Sequence, residues 1–181
     1  MNRIRRSHFG VLTVMSILLA LSETVSVSGD KPRTPPGFSL DRLDGGAFNL
    51  QEDLGNSVIL LEFWGMCCHA KLSDLKTIDD LYLQYGNRGL KVYGINIDDA
   101  SRRSQVKPAV KKYGYTFPVL LDPTQEVLRK FSPDREKPYT VVIDRKGDII
   151  HESGGDQSKS RPLLEKIIEE CLEQERLSEH K

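Results

Sequence analysis

The stretch Val58 to Trp64 is a nearly unbroken apolar run, and beyond it the apolar residues change to a spacing of three and four: Leu72, Leu75, Ile78, Leu81, Tyr82 and Tyr85. A continuous run matches a central strand covered on both faces, whereas the second pattern gives one apolar face of a helix. Between the two lie Cys67, Cys68 and His69. A buried strand entering a helix at this point puts Cys68 at or beside the helix N-terminus. Unpaired backbone N–H groups and the helix dipole favour a thiolate there, and the thiolate is the form that attacks disulfides or peroxides. Burial as an inert cysteine is the competing reading, but apolar packing does not call for two adjacent thiols at a helix start.

The remaining pattern predicts strands alternating with helices. Phe38 to Leu40 and Ala47 to Leu50 flank the Asp44-Gly45-Gly46 turn as a small hairpin, and Leu90 to Ile97 is a second core strand. A helix over Ser101 to Tyr113 (despite Pro108), a strand at Phe117 to Leu121 and a helix at Thr124 to Phe131 follow. Tyr139 to Asp144 and Asp148 to Glu152 read as strands joined by Arg145-Lys146-Gly147, and a closing helix from Pro162 to about Leu177 buries Leu164, Ile167, Ile168 and Cys171. The expected architecture is α/β, a mixed sheet with helices on both faces.

Lysine and arginine together number 26, as do aspartate and glutamate, so no global field attracts nucleic acid or an anionic membrane. Arg3, Arg5 and Arg6 precede an apolar run from Phe9 to Leu21 and a small polar stretch, the layout of a secretory signal. The run is about 13 residues long, short of the roughly 20 needed to span a bilayer. Residues 1–28 are expected to be a signal peptide, cleaved after Ser28 or kept as an N-terminal anchor. Residues 29–37, with three prolines, read as a linker, and residues 38–178 as one domain.

Three cysteines, two of them adjacent, do not make a stapling framework for an exported protein. A disulfide between neighbours Cys67 and Cys68 is strained and easily reduced, which suits a labile switch. Lys71, one turn along, either favours the Cys68 thiolate by its charge or is a solvated helix lysine. Asp74 either moves protons near the site or is a surface carboxylate. His69 beside two thiols raises a Cu(I) or zinc reading, with His151 as the mid-domain candidate for a distant ligand. Three consecutive residues rarely converge on one ion, so no metal and no cofactor are expected.

The chain resembles the TlpA/ResA-type thiol-disulfide oxidoreductases of the thioredoxin superfamily and, more loosely, the AhpC/TSA redoxins. The resemblance rests on Phe38-Ser39-Leu40 with Asp44-Gly45, Val58 to Trp64, Gly89 to Asp98, Tyr113 to Asp122, and Lys137 to Gly147. It implies a thioredoxin-like fold with an N-terminal hairpin and a central insertion. It also implies a cis proline at Pro138 on the loop facing the active cysteine, and a substrate groove shared by Pro138, Lys137 and Trp64.

One departure stands out, because the family's Trp-Cys-x-x-Cys is absent. With Trp64 to Leu90 aligned without a gap, Cys68 takes the attacking position, Lys71 replaces the resolving cysteine and Cys67 stands at the tryptophan. Asp74 matches an acidic position of ResA-like members. The peroxiredoxin signature is missing too, since Leu61 and Gly65 occupy its proline and threonine places. The resemblance implies exported, periplasmic thiol-disulfide exchange through Cys68 with Cys67, in cytochrome c maturation or general disulfide reduction. The partners implied are protein thiol or disulfide substrates and a membrane thiol reductant relay. A degenerate binding protein or Cu(I) chaperone, and a peroxidase, are the alternatives.

Overall fold

The computed structural model describes residues 33–66, 75–155 and 161–178. The chain divides after Asp30, and the unit Lys31–Lys181 contains every element below. The expected Cys67–Asp74 segment, including Cys67, Cys68, His69, Lys71 and Asp74, lies outside the described residues, as do residues 1–32.

In chain order the strands are β1 (Ser39–Arg42), β2 (Ala47–Asn49), β3 (Val58–Trp64), β4 (Leu90–Asn96), β5 (Val119–Leu121), β6 (Tyr139–Ile143) and β7 (Ile149–Gly154). The longer helices are α1 (Leu75–Tyr85), α2 (Arg103–Tyr113), α3 (Glu126–Phe131) and α4 (Arg161–Ser178). The strands form one sheet in the order β2-β1-β5-β4-β3-β6-β7. β3 is buried along its whole length, parallel to β4 on one side and antiparallel to β6 on the other.

Alternation along β3 explains why its run lacks polar gaps. Val58, Leu60 and Trp64 enter a core with Ile78 and Leu81 of α1, Val106 of α2, and Leu164 and Ile168 of α4. Ile59, Leu61 and Phe63 enter the opposite core with Phe38, Phe48, and Val127, Leu128 and Phe131 of α3. Successive strand side chains point to opposite faces, so covering both faces demands an apolar residue at nearly every position. This is the mixed α/β, thioredoxin-like arrangement with helices on both sides.

Between β4 and β6, strand β5 joins β4 in parallel to β1 of the hairpin in antiparallel. Several expected boundaries shift by one or two residues, among them β1, α2 and β7, and two shifts have a local cause. The strand expected from Phe117 is regular from Val119, after Pro118, whose carbonyl accepts the Gly94 N–H. The helix expected from Thr124 begins at Glu126, because Asp122 accepts the backbone N–H groups of Glu126 and Leu128, and Gln125 takes a left-handed φ of 56°. The described end of the expected linker touches the domain: Arg33 makes a β-bridge to Ile149 and its guanidinium pairs with Glu152 at 2.5 Å.

Candidate active site

β3 and β4 leave the sheet side by side, and this pole is where residues 67 and 68 follow in the chain. Ile97 donates its N–H to the Trp64 carbonyl at 2.9 Å, which keeps the two exits in step. Phe63 pairs with Tyr139, so Pro138 borders β3 at the level of its last residue, Trp64. The Lys137–Pro138 bond is cis. The Pro138 carbonyl accepts the Gly155 N–H at 2.9 Å, tying the loop to the end of β7. Lys137 is half-buried beside it.

Trp64 is 2% exposed and packs in the core with Phe117, so it supports the pole from beneath and offers substrate little surface. Its indole Nε1 is buried with no hydrogen-bond partner. Gly94, opposite Glu62 in the register, makes room for these rings: a Cβ there would lie 2.4 Å from Phe117 and 3.1 Å from Trp64 Nε1.

Two buried carboxyl groups, one within β3 and one just past the end of β4, escape a reading by motif. Glu62 is 1% exposed in the middle of β3, and it accepts the Thr140 hydroxyl of β6 at 2.5 Å. Burial pushes its carboxyl from 4.5 up to about 8, against the opposing pull of the Thr140 hydrogen bond. A carboxylate inside an otherwise apolar strand was the signal available in the sequence. Asp98, 5% exposed, accepts the Met66 N–H at 2.9 Å and the Asn96 amide at 2.8 Å on the same oxygen, Oδ2. Its other oxygen, Oδ1, is buried without a partner.

The remaining candidates sit elsewhere. Cys171 on α4 is partly buried against the α1 side of the core, and burial, followed by the charges of Asp144 and Glu170, pushes its thiol up to about 11. His151 on β7 is half-buried, with Nε2 at 3.2 Å from the Ser153 hydroxyl, and burial lowers its pKa. Among the described residues no group of three His, Cys, Asp or Glu side chains is placed to hold a metal ion. Among them, too, no helix is long and apolar enough to cross a membrane.

Comparison with known proteins agrees with this fold. The model of the AhpC/TSA family matches residues 33–152. Thiol-disulfide oxidoreductase ResA of Bacillus thuringiensis subsp. konkukian is 29% identical over 126 residues, covering 70% of each chain. ResA of Halalkalibacterium halodurans is 26% identical over 169 residues, covering 90% of each. Among solved structures, a putative thiol:disulfide interchange protein DsbE from Chlorobium tepidum superposes with a TM-score of 0.70 at 22% identity, over 79% of this chain and 98% of that one, a likeness of fold.

Proposed function

This chain belongs to the AhpC/TSA family, and on that premise we propose that it carries out thiol-disulfide exchange, with Cys68 as the attacking thiol and Cys67 as its resolving partner. The observation that carries the reading is the convergence at one pole of the sheet. The β3 exit that leads on to Cys67 and Cys68 stands beside the Pro138 loop, and its Met66 N–H is held by the buried Asp98 carboxylate. Similarity to proteins named thiol-disulfide oxidoreductase supports the same chemistry.

In the first step the Cys68 thiolate attacks one sulfur of a substrate disulfide. The S–S bond breaks, the departing sulfur leaves with the electron pair and takes up a proton, and a mixed disulfide joins Cys68 to the substrate. Cys67, or an external thiol, then loses its proton and attacks the Cys68 sulfur, releasing the substrate as a thiol. The substrate disulfide gains two electrons and the cysteine pair loses them. A strained Cys67–Cys68 bond is readily reduced again, and a membrane thiol relay is the electron source in this reading.

The arginine-led apolar run in residues 1–28 supports export to the periplasm, where substrates carrying disulfides reside. Cytochrome c maturation or general disulfide reduction is the setting that the family resemblance implies.

Insulin reduction by the mature protein is the direct test. Turnover that disappears in Cys68→Ser supports exchange. A wild-type protein that leaves the disulfide intact but takes up Cu(I), with uptake lost in Cys67→Ser, turns the reading to a metal-binding protein. Peroxide consumption dependent on Cys68 turns it to a peroxidase.

A further inference from the structure

We infer that Glu136 sets substrate preference in the exchange reaction, presenting its carboxylate to a basic residue about three positions from the reacting cysteine of the substrate. The inference rests on the exchange reading above and adds to it the chemistry of the preferred partner.

Glu136 stands two residues before Pro138, in a loop where Asp134, Arg135, Glu136 and Lys137 alternate in charge. The alternation gives it no distinction, but its seat does. A Cβ on Gly154 would lie 2.5 Å from Glu136 Cγ and closer still to Cδ and Oε2, so the carboxyl group rests on the bare backbone of β7. Gly154 is not among the glycines with a positive φ, so its conformation does not call for glycine, whereas the space above it does. Ser132, 4% exposed, fixes the root of the side chain: its hydroxyl accepts the Glu136 N–H at 3.0 Å and its carbonyl accepts the Arg135 N–H at 2.9 Å.

This seat lies at the pole. Gly154 pairs with Tyr139, Tyr139 pairs with Phe63, and the Gly155 N–H reaches the Pro138 carbonyl. Neighbouring strands are about 4.8 Å apart, which puts Gly154 about 10 Å from the line of β3. An extended chain covers that distance in about three residues. A substrate segment that reaches the β3 exit across Pro138 passes Glu136 at that offset.

The charge of Glu136 is felt on this face and is not cancelled there. Burial, and then the Glu152 carboxylate, push the Tyr139 phenol up to about 12, with Glu136 adding to the shift and Arg33 opposing it. Arg33 is paired with Glu152 at 2.5 Å, and among the described residues no ion pair neutralises the exposed Glu136 carboxylate. A seated carboxylate attracts a basic residue and repels an acidic one at the same place. Selectivity then comes from the rejected partner as well as from the favoured one.

Single-turnover reduction by the full mature chain, reduced beforehand, tests this with two peptide disulfides. They differ only in carrying Lys or Glu three residues to either side of the reacting cysteine. The Lys peptide should react about tenfold faster at low salt, because an exposed charge pair changes a rate by about fivefold at most in each direction. At 1 M salt, where screening acts over about 3 Å, the ratio should fall to within about twofold. Glu136→Gln should bring it to about the same level at low salt. Gly154→Ala keeps every charge but displaces the carboxylate from its seat, and should lower the ratio to about threefold. Asp134→Asn, which removes a charge from the same loop, should leave the ratio within about twofold of wild type.

Equal rates for the two peptides in wild type, or a full ratio retained in Glu136→Gln, overturn the inference and leave the exchange reading standing. A full ratio in Gly154→Ala overturns the seat, and a loss in Asp134→Asn as large as in Glu136→Gln shows a diffuse field in place of a seated contact and overturns the inference too. A wild-type protein that reduces neither peptide removes the exchange reading itself.

Discussion

The Thr140 hydroxyl on β6 donates to the Glu62 carboxyl on β3 at 2.5 Å, so these two neighbouring strands are bridged by a polar contact sealed from water. Burial keeps that carboxyl protonated up to about pH 8, whereas the unfolded chain releases the same proton near 4.5. The proton therefore favours the folded state. Its contribution is complete below the unfolded value and is lost as pH rises towards 8, at a limiting slope of about 1.4 kcal/mol per pH unit. Urea unfolding at pH 5 and pH 8 should show this decline in wild type and much less of it in Glu62→Gln. Parallel stability curves for the two proteins would refute the assignment.

Trapping provides a second check on the cysteine pair. Cys67→Ser keeps the attacking thiol but lacks its neighbour, so a mixed disulfide with a protein substrate should accumulate and survive non-reducing electrophoresis. Release at the wild-type rate without added thiol would show that Cys67 is not the resolving group.

Cys171 should be a bystander. Its thiol is partly buried and titrates near 11, so at pH 8 it should react with iodoacetamide about two orders of magnitude more slowly than an ordinary exposed cysteine. Cys171→Ser should leave exchange rates within twofold, and a large loss of rate in that variant would place this residue in the reaction.

Asp79 ties α1 to the segment ahead of β5, through the Thr116 N–H at 2.6 Å and the Thr116 hydroxyl at 2.9 Å. Asp79→Ala strands both donors and should cost about 1–3 kcal/mol by chemical denaturation. Thr116→Val, which keeps the N–H bond, should cost less. Equal losses would mean that the hydroxyl carries the whole contact.

Gly94→Ala tests the packing beneath the pole. The added methyl would stand 2.4 Å from the Phe117 ring, which is itself 3% exposed and has little room to move. Overpacking of this kind costs about 1–3 kcal/mol. A neutral effect on the thermal midpoint would show that the rings can give way.

Much of the architecture was legible as pattern. Val58 to Trp64 and Leu90 to Asn96 are strands because both faces of the sheet are covered, and such cover leaves an apolar run in the sequence. Leu75, Ile78, Leu81 and Tyr85 mark α1 because a helix buries one stripe. Glu62 was readable too, as a carboxylate inside that run, yet its chemical state depends on Thr140, which lies 78 residues away. Asp98 carried no local signal at all. It stands in an ordinary polar sequence after a strand, and its contact with Met66 spans 32 residues.

The sequence by itself determined which elements form, where the adjacent cysteines fall relative to the central strand, and which family pattern the chain follows. The tertiary structure alone decided which polar groups share the exit of that strand and which of their atoms remain without a partner. The reason is physical: periodicity records burial, a property of each residue against its own element, whereas a hydrogen bond or a pKa shift depends on what pairing of distant strands brings alongside.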